Sequence, residues 1–172
     1  MKVFLLGFMG SGKSHWGRIW ADNSGMPFYD LDSKIEEEQQ QSIAAIFENK
    51  GEEYFRELEA DALRSFESVP TGIIACGGGT PCFYENIAWM NANGLTVYLQ
   101  ANPRLLYERV MLEKEERPLL KKVNEAELLF FIEQKLKSRE HFYQQAKFTL
   151  PVVDANEKSL PTIIKKHSGK HA

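Results

Sequence analysis

Residues 7–14, Gly7-Phe8-Met9-Gly10-Ser11-Gly12-Lys13-Ser14, fit the pattern G-x-x-x-x-G-K-[ST] between the apolar run 3–6 and a segment of helical periodicity. A strand, a glycine loop and a helix in that order leave few folds open. The glycines let backbone N–H groups close around a polyphosphate, and the following helix aims its positive end at the same anion. In that arrangement Gly10, Ser11, Gly12 and His15 line the nucleotide, Lys13 reaches its β- and γ-phosphates, and the Ser14 hydroxyl meets Mg²⁺. The loop points to a nucleotide and leaves the reaction open.

The remaining pattern extends that unit. Short apolar runs at 3–6, 27–29, 72–76, 95–99 and 148–153 read as strands buried on both faces. Helical patterns fall from the loop to residue 23 and at 33–39, 42–50, 52–66, 83–93, 103–115, 124–146 and 159–166, with Gly25, Gly51 and Gly94 as stops. Strands alternating with helices imply a parallel sheet. The expected fold class is therefore α/β: a three-layer phosphate-loop fold whose five-stranded parallel sheet is flanked by helices. At 172 residues the chain fits one domain, 1–172. Two segments exceed the plain alternation: a helical insertion at 33–59 and a charged stretch at 112–124, which Pro118 breaks. Such insertions near strand ends are where acceptor sites and closing lids are built.

Composition narrows the partners. A net charge of -3 argues against nucleic acid, because no excess of Lys and Arg exists to neutralise a phosphate backbone. No apolar run is long enough to span a membrane, and the run after Lys2 passes straight into the phosphate loop instead of forming a secretory signal. Cys76 and Cys82 lack zinc-like spacing and read as free thiols of a cytoplasmic protein. A monomer is expected.

The other candidate residues each carry two readings. Asp30 and Asp32 alternate after the second strand, so in extended backbone both carboxylates face one side; they either serve Mg²⁺ and an acceptor hydroxyl, or Asp32 caps the next helix. Glu52, Arg56 and Glu59 share one helical face, as a surface ion pair or as the site of an arginine fork that holds a carboxylate. Gly77-Gly78-Gly79 follows the third strand, as a turn or as bare backbone against a ligand at the sheet edge. Arg117 and Arg139 are solvated helix-end arginines or active-site cations, and a lid arginine stabilises transition-state charge. None of the four histidines, His15, His141, His167 and His171, has metal-ligand or triad spacing.

Taken together, Gly12-Lys13-Ser14, Asp30-x-Asp32, Gly51-Glu52-x-x-Phe55-Arg56-x-x-Glu59, Gly77-Gly78-Gly79, Arg117-Pro118-Leu119-Leu120 and Arg139-x-x-x-Tyr143 resemble the shikimate kinase family. The resemblance implies transfer of the γ-phosphoryl of ATP to the 3-hydroxyl of shikimate, a step toward chorismate and the aromatic amino acids. It also implies site roles. Lys13 would hold the phosphates, Ser14 and Asp30 the Mg²⁺, and Asp32 the shikimate hydroxyls. Arg56 and Arg139 would clamp the carboxylate, the backbone of Gly78 and Gly79 would line the ring, and Arg117 would be the lid arginine. The chain departs from the usual family pattern at His15 and Cys76, where hydroxyl-bearing residues are common. Arg109 is the nearest match to the adenine-stacking arginine, with residues 156–161 on the other side of the base.

Rival readings share parts of this set. Kinases acting on gluconate or on a nucleoside monophosphate have the loop, and Asn49-Lys50-Gly51-Glu52 resembles the guanine motif of GTP-driven switches, with Glu where Asp is required.

Overall fold

In a computed structural model, which describes residues 1–112 and 124–169, the five strands form one wholly parallel sheet in the order β2-β3-β1-β4-β5. These are β1 (Lys2–Leu6), β2 (Phe28–Asp30), β3 (Gly72–Ala75), β4 (Leu95–Gln100) and β5 (Phe148–Pro151). β1 is central, pairing Leu5 with Ala75 of β3 and with Val97 of β4. The chain winds outward from β1 to β2, returns to β3, and only then crosses to β4. That reversal leaves a crevice off the carboxyl ends of β1 and β3, the usual ligand position in an open parallel sheet.

Burial follows strand position. Val3 to Leu6 are fully buried, as are Ile73, Ile74, Leu95, Val97 and Leu99. The two edge strands differ from the expectation of burial on both faces. β2 is half-buried throughout, and β5 alternates half-buried with exposed, because each has only one neighbour and an uncovered flank. β5 also ends at Pro151, which has no N–H for a ladder, and Val152–Asp154 turn away as a 3-10 helix.

Seven α-helices accompany these strands among the described residues: α1 (Lys13–Ser24), α2 (Leu31–Gln39), α3 (Ile43–Arg64), α4 (Asn86–Asn93), α5 (Pro103–Leu112), α6 (Glu125–Tyr143) and, after β5, α7 (Ser159–Ser168). The helices expected at 42–50 and 52–66 adjoin within α3, and Gly51 (φ 84, ψ 173) separates them with non-helical backbone, as expected of a stop. α4 begins three residues later than the pattern suggests, because Tyr84 and Glu85 are left-handed (φ 49 and 55) and a right-handed helix cannot start through them. α2 and α3 cover the segment 33–59. Of the segment 112–124, all but its two end residues lies outside the described residues. No described helix is long and apolar enough to cross a membrane.

Gly94 joins α4 to β4 at a place where the backbone of β1 leaves no room. A Cβ there would stand 2.6 Å from the Lys2 carbonyl oxygen and 2.8 Å from the Phe4 ring. The obstacle is main chain of the central strand, which cannot step aside. Gly94→Ala should therefore destabilise the fold by about 1–3 kcal/mol, outweighing any gain from a stiffer unfolded chain. A urea titration reads this as a lower midpoint with an unchanged slope.

Candidate active site

The phosphate loop leaves β1 through Gly7 (φ 145) and turns through Gly10 (φ 79) and Gly12 (φ 92), all conformations that side-chain-bearing residues avoid. Gly12 is the N-cap of α1. It brings no side-chain acceptor, and the first turn of α1 contains no acid. The positive end of α1 is thus left uncompensated within the chain and faces the crevice. Lys13 fills part of that space by folding back, its Nζ donating to the carbonyls of Gly7 (2.8 Å) and Phe8 (3.0 Å). Ser11 donates its N–H to the Phe8 carbonyl and is fully buried; its hydroxyl is the one buried side-chain polar atom without a partner among the described residues.

Across the crevice, Ser14 donates its hydroxyl proton to Asp30 Oδ2 at 2.8 Å. Asp30 ends β2 and caps α2, its Oδ1 accepting from the Ser33 N–H at 3.2 Å. This corrects the expectation that both aspartates extend from a strand, and it sets aside the alternative in which Asp32 is only a cap, since Asp30 is the N-cap. Asp32 lies instead in the first turn of α2, yet both side chains still line one cavity. That cavity, of about 560 Å³, is also lined by Gly10, Gly12, Lys13, Ser14, His15, Cys76 and Gly78.

Electrostatics in this cavity are unfavourable to the charges it holds. Burial, reinforced by Glu59 and Asp30, raises the Asp32 carboxyl from 3.8 to about 6, despite the opposing pull of Lys13. Burial likewise lowers the Lys13 ammonium to about 8, although Asp32 counters it. Cys76 is inert, since burial pushes its thiol well up. Two oppositely charged groups both pushed toward neutrality mark a site built for something that is not part of the chain.

Behind the cavity stands a second group. Arg56, expected either as a surface partner of Glu52 or as a clamp, is only 7% exposed, and Glu59 is fully buried. The guanidinium donates from Nη1 to Glu59 Oε2 (2.8 Å), and from Nη2 and Nε to Glu52 Oε1 (3.1 and 3.3 Å). Its carbon lies 4.5 Å from the centre of the Phe83 ring. A Cβ on Gly79 would sit 2.5 to 2.7 Å from three of its atoms, so a larger residue there would push the guanidinium from its place. Arg139 completes the rim: it lies over the Phe8 ring at 5.5 Å, with Nη1 3.2 Å from where a Gly78 Cβ would be. No carboxylate pairs with it among the described residues. Tyr143 donates to the Gly78 carbonyl at 2.6 Å and fixes that strand end.

Most of the expected residues thus meet at the carboxyl end of the sheet. Arg56, Gly79 and Arg139 do so from behind or beside the main cavity, and Arg117 lies outside the described residues. Arg109, the candidate for the base side, lines the cavity and donates to the Gly10 carbonyl at 3.0 Å. Asn49-Lys50-Gly51-Glu52 spans the kink of α3 and is no part of a guanine pocket. Sequence reasoning gave no role to Glu59, which also accepts from the Thr80 hydroxyl at 2.6 Å. The i, i+3 spacing from Arg56 was its signal. Trp16, half-buried in the cavity wall and stacked on Trp20, gave none.

A family model described as "Shikimate kinase" matches residues 9–168. A shikimate kinase of Bacteroides thetaiotaomicron is 40% identical over 148 residues, 86% of this chain and 85% of its own. A crystal structure of shikimate kinase from that organism superposes with a TM-score of 0.91 at 35% identity, covering 96% of this chain and 98% of that one. Shikimate kinase from Acinetobacter baumannii, solved in complex with shikimate, gives 0.84 at 29% identity over 99% of this chain and 93% of its own.

The raised carboxyl of Asp32 has a consequence for stability. Its charge costs the folded state nothing below about pH 4, where both states are protonated, and its full amount above about pH 6. Asp32→Asn should therefore stabilise the ligand-free protein by about 1–3 kcal/mol at pH 7 to 8. Chemical denaturation across pH should show the gain fading between pH 6 and 4; a gain independent of pH would contradict the assigned cause.

Proposed function

The chain belongs to the shikimate kinase family, and from that premise we propose that it transfers the γ-phosphoryl group of ATP to the 3-hydroxyl of shikimate, giving shikimate 3-phosphate and ADP. One observation carries the reading: a phosphate loop faces, across one cavity, a carboxylate raised to about pH 6. In the transfer, the acceptor oxygen bonds to the γ-phosphorus while the bond from that phosphorus to the bridging oxygen of ADP breaks. Asp32 holds the hydroxyl and takes its proton. With a pKa of about 6 it is ionised at neutral pH yet more basic than an exposed carboxylate, which suits a general base.

The donor side rests on the loop amides, with Gly10, Ser11, Gly12 and His15 along the phosphates and Lys13 moving from its own loop carbonyls to phosphate oxygens. Ser14 and Asp30 fit Mg²⁺. No cluster of three acidic, His or Cys ligands exists among the described residues, and Mg²⁺ in phosphoryl-transfer sites takes only one or two protein groups beside phosphate and water. Ser14 and Asp30 would hold the ion, which would supply neutralisation of the phosphate charge. On the acceptor side, Arg56 and Arg139 hold the carboxylate and the Gly78 and Gly79 backbone lines the ring. Arg117 keeps its assignment as the lid arginine of segment 112–124, supported by the family resemblance. A monomer in the cytoplasm is the working unit proposed for it.

Gluconate and nucleoside monophosphates share the donor chemistry, but the relative solved with shikimate favours shikimate. A coupled ADP-release assay over the three acceptors should find shikimate preferred in kcat/KM by at least about tenfold; turnover with the others alone would refute the proposal. With shikimate, kcat/KM should fall on the acid side near pH 6, as Asp32 is protonated, and on the alkaline side near pH 8, as free Lys13 loses its charge. Arg56→Lys should raise the shikimate KM by roughly tenfold or more, because an ammonium cannot replace the fork shared between Glu59 and a second carboxylate. An unchanged KM would remove Arg56 from the acceptor site.

A further inference from the structure

The segment from Gly79 to Phe83 meets Arg56 directly at Gly79 and Phe83 and indirectly at Thr80, through Glu59, and it is held at its far end by a residue outside the acceptor site. Thr80 bonds Glu59, Phe83 lies against the guanidinium, and Gly79 leaves room for its plane. Beyond Phe83 the backbone passes through two consecutive left-handed residues, Tyr84 (φ 49) and Glu85 (φ 55), neither of them glycine. Such backbone persists only where its surroundings hold it. Arg64 does the holding. From the end of α3 its Nη2 donates to the Tyr84 carbonyl at 2.8 Å, and its Nη1 to Asn86 Oδ1 at 2.6 Å. Asn86, fully buried, donates in turn to the Thr80 carbonyl at 2.9 Å. The Arg64 guanidinium rests on the Trp89 ring at 5.0 Å, which fixes its plane.

We infer that Arg64 is a positioning residue for the acceptor carboxylate. It acts through Asn86 and the 80–85 loop on Thr80, Phe83 and Glu59, and through them on Arg56. The inference rests on the reading of Arg56 as an acceptor clamp. Arg64 lies eight residues beyond Arg56, about 12 Å along the helix, so it touches no substrate itself. Its loss lets the two left-handed residues relax. Phe83 and Thr80 then shift, and the guanidinium loses the face and the acid that set its orientation. The phosphate loop shares none of these bonds, so the donor side is spared.

The split between substrates is therefore the signature. Arg64→Ala should raise the shikimate KM by about tenfold, with kcat within about threefold and the ATP KM within about twofold of wild type. Arg64→Lys, whose single ammonium reaches one of the two oxygens, should fall between. A shikimate KM unchanged in both variants would overturn the inference, as would equal rises for shikimate and ATP. Where Arg64→Ala does not fold, Arg64→Lys decides alone: a rise of about threefold or more for shikimate only supports the role, and no rise overturns it. Wild-type protein is the control that separates the two readings. Its failure to turn over shikimate would sink the proposed function, whereas normal wild-type turnover with silent variants would sink only the role of Arg64.

Discussion

Charge that is short of water organises the carboxyl end of this sheet. Lys13, Asp30, Asp32 and Glu59 converge there, together with the open end of α1, and the two groups with resolved shifts are both pushed toward neutrality by burial. Such a cluster is poor for stability. On the proposed roles, a bound polyphosphate would reverse the balance for Lys13 and α1, and an acceptor hydroxyl would give Asp32 a donor. The ligand-free fold therefore holds the site at a cost that the buried central strands β1, β3 and β4 must offset.

What was legible in the sequence was local. The phosphate loop and the alternation of strands and helices depend on near neighbours in the chain, and the described residues follow both. The misreadings have non-local causes. Burial of β2 and β5 depends on their edge places in the sheet, which strand order decides and composition does not. Asp30 caps α2 because β2 ends one residue later than its apolar run.

The buried state of Arg56 illustrates the same limit more sharply. From the i, i+4 spacing with Glu52 alone, a surface pair is the natural reading, and its value would be about 0.3–0.5 kcal/mol. Burial comes instead from residues more than twenty positions away, Gly79 beneath the guanidinium and Phe83 against its face. Once desolvated, the same arginine needs a permanent acid, which Glu59 supplies, and Glu59 in turn needs the Thr80 hydroxyl to occupy its second oxygen.

The two acids on Arg56 are not equivalent, and on the proposed role of Arg56 as a clamp their difference decides how a substrate carboxylate would enter. Arg56, Glu52 and Glu59 together carry a net negative charge, so an incoming anion meets repulsion unless one acid gives way. Glu59 is fully buried with both oxygens bonded, and withdrawing it would strand a buried charge at about 3–5 kcal/mol. Glu52 is 57% exposed on its side chain, shares a single oxygen between two donors, and follows the kink at Gly51. A pair open to solvent on its Glu52 side is the weaker of the two. The exchangeable partner is therefore Glu52. The fork edge that it occupies, Nε and Nη2, is the edge of Arg56 that a carboxylate can take without disturbing Glu59.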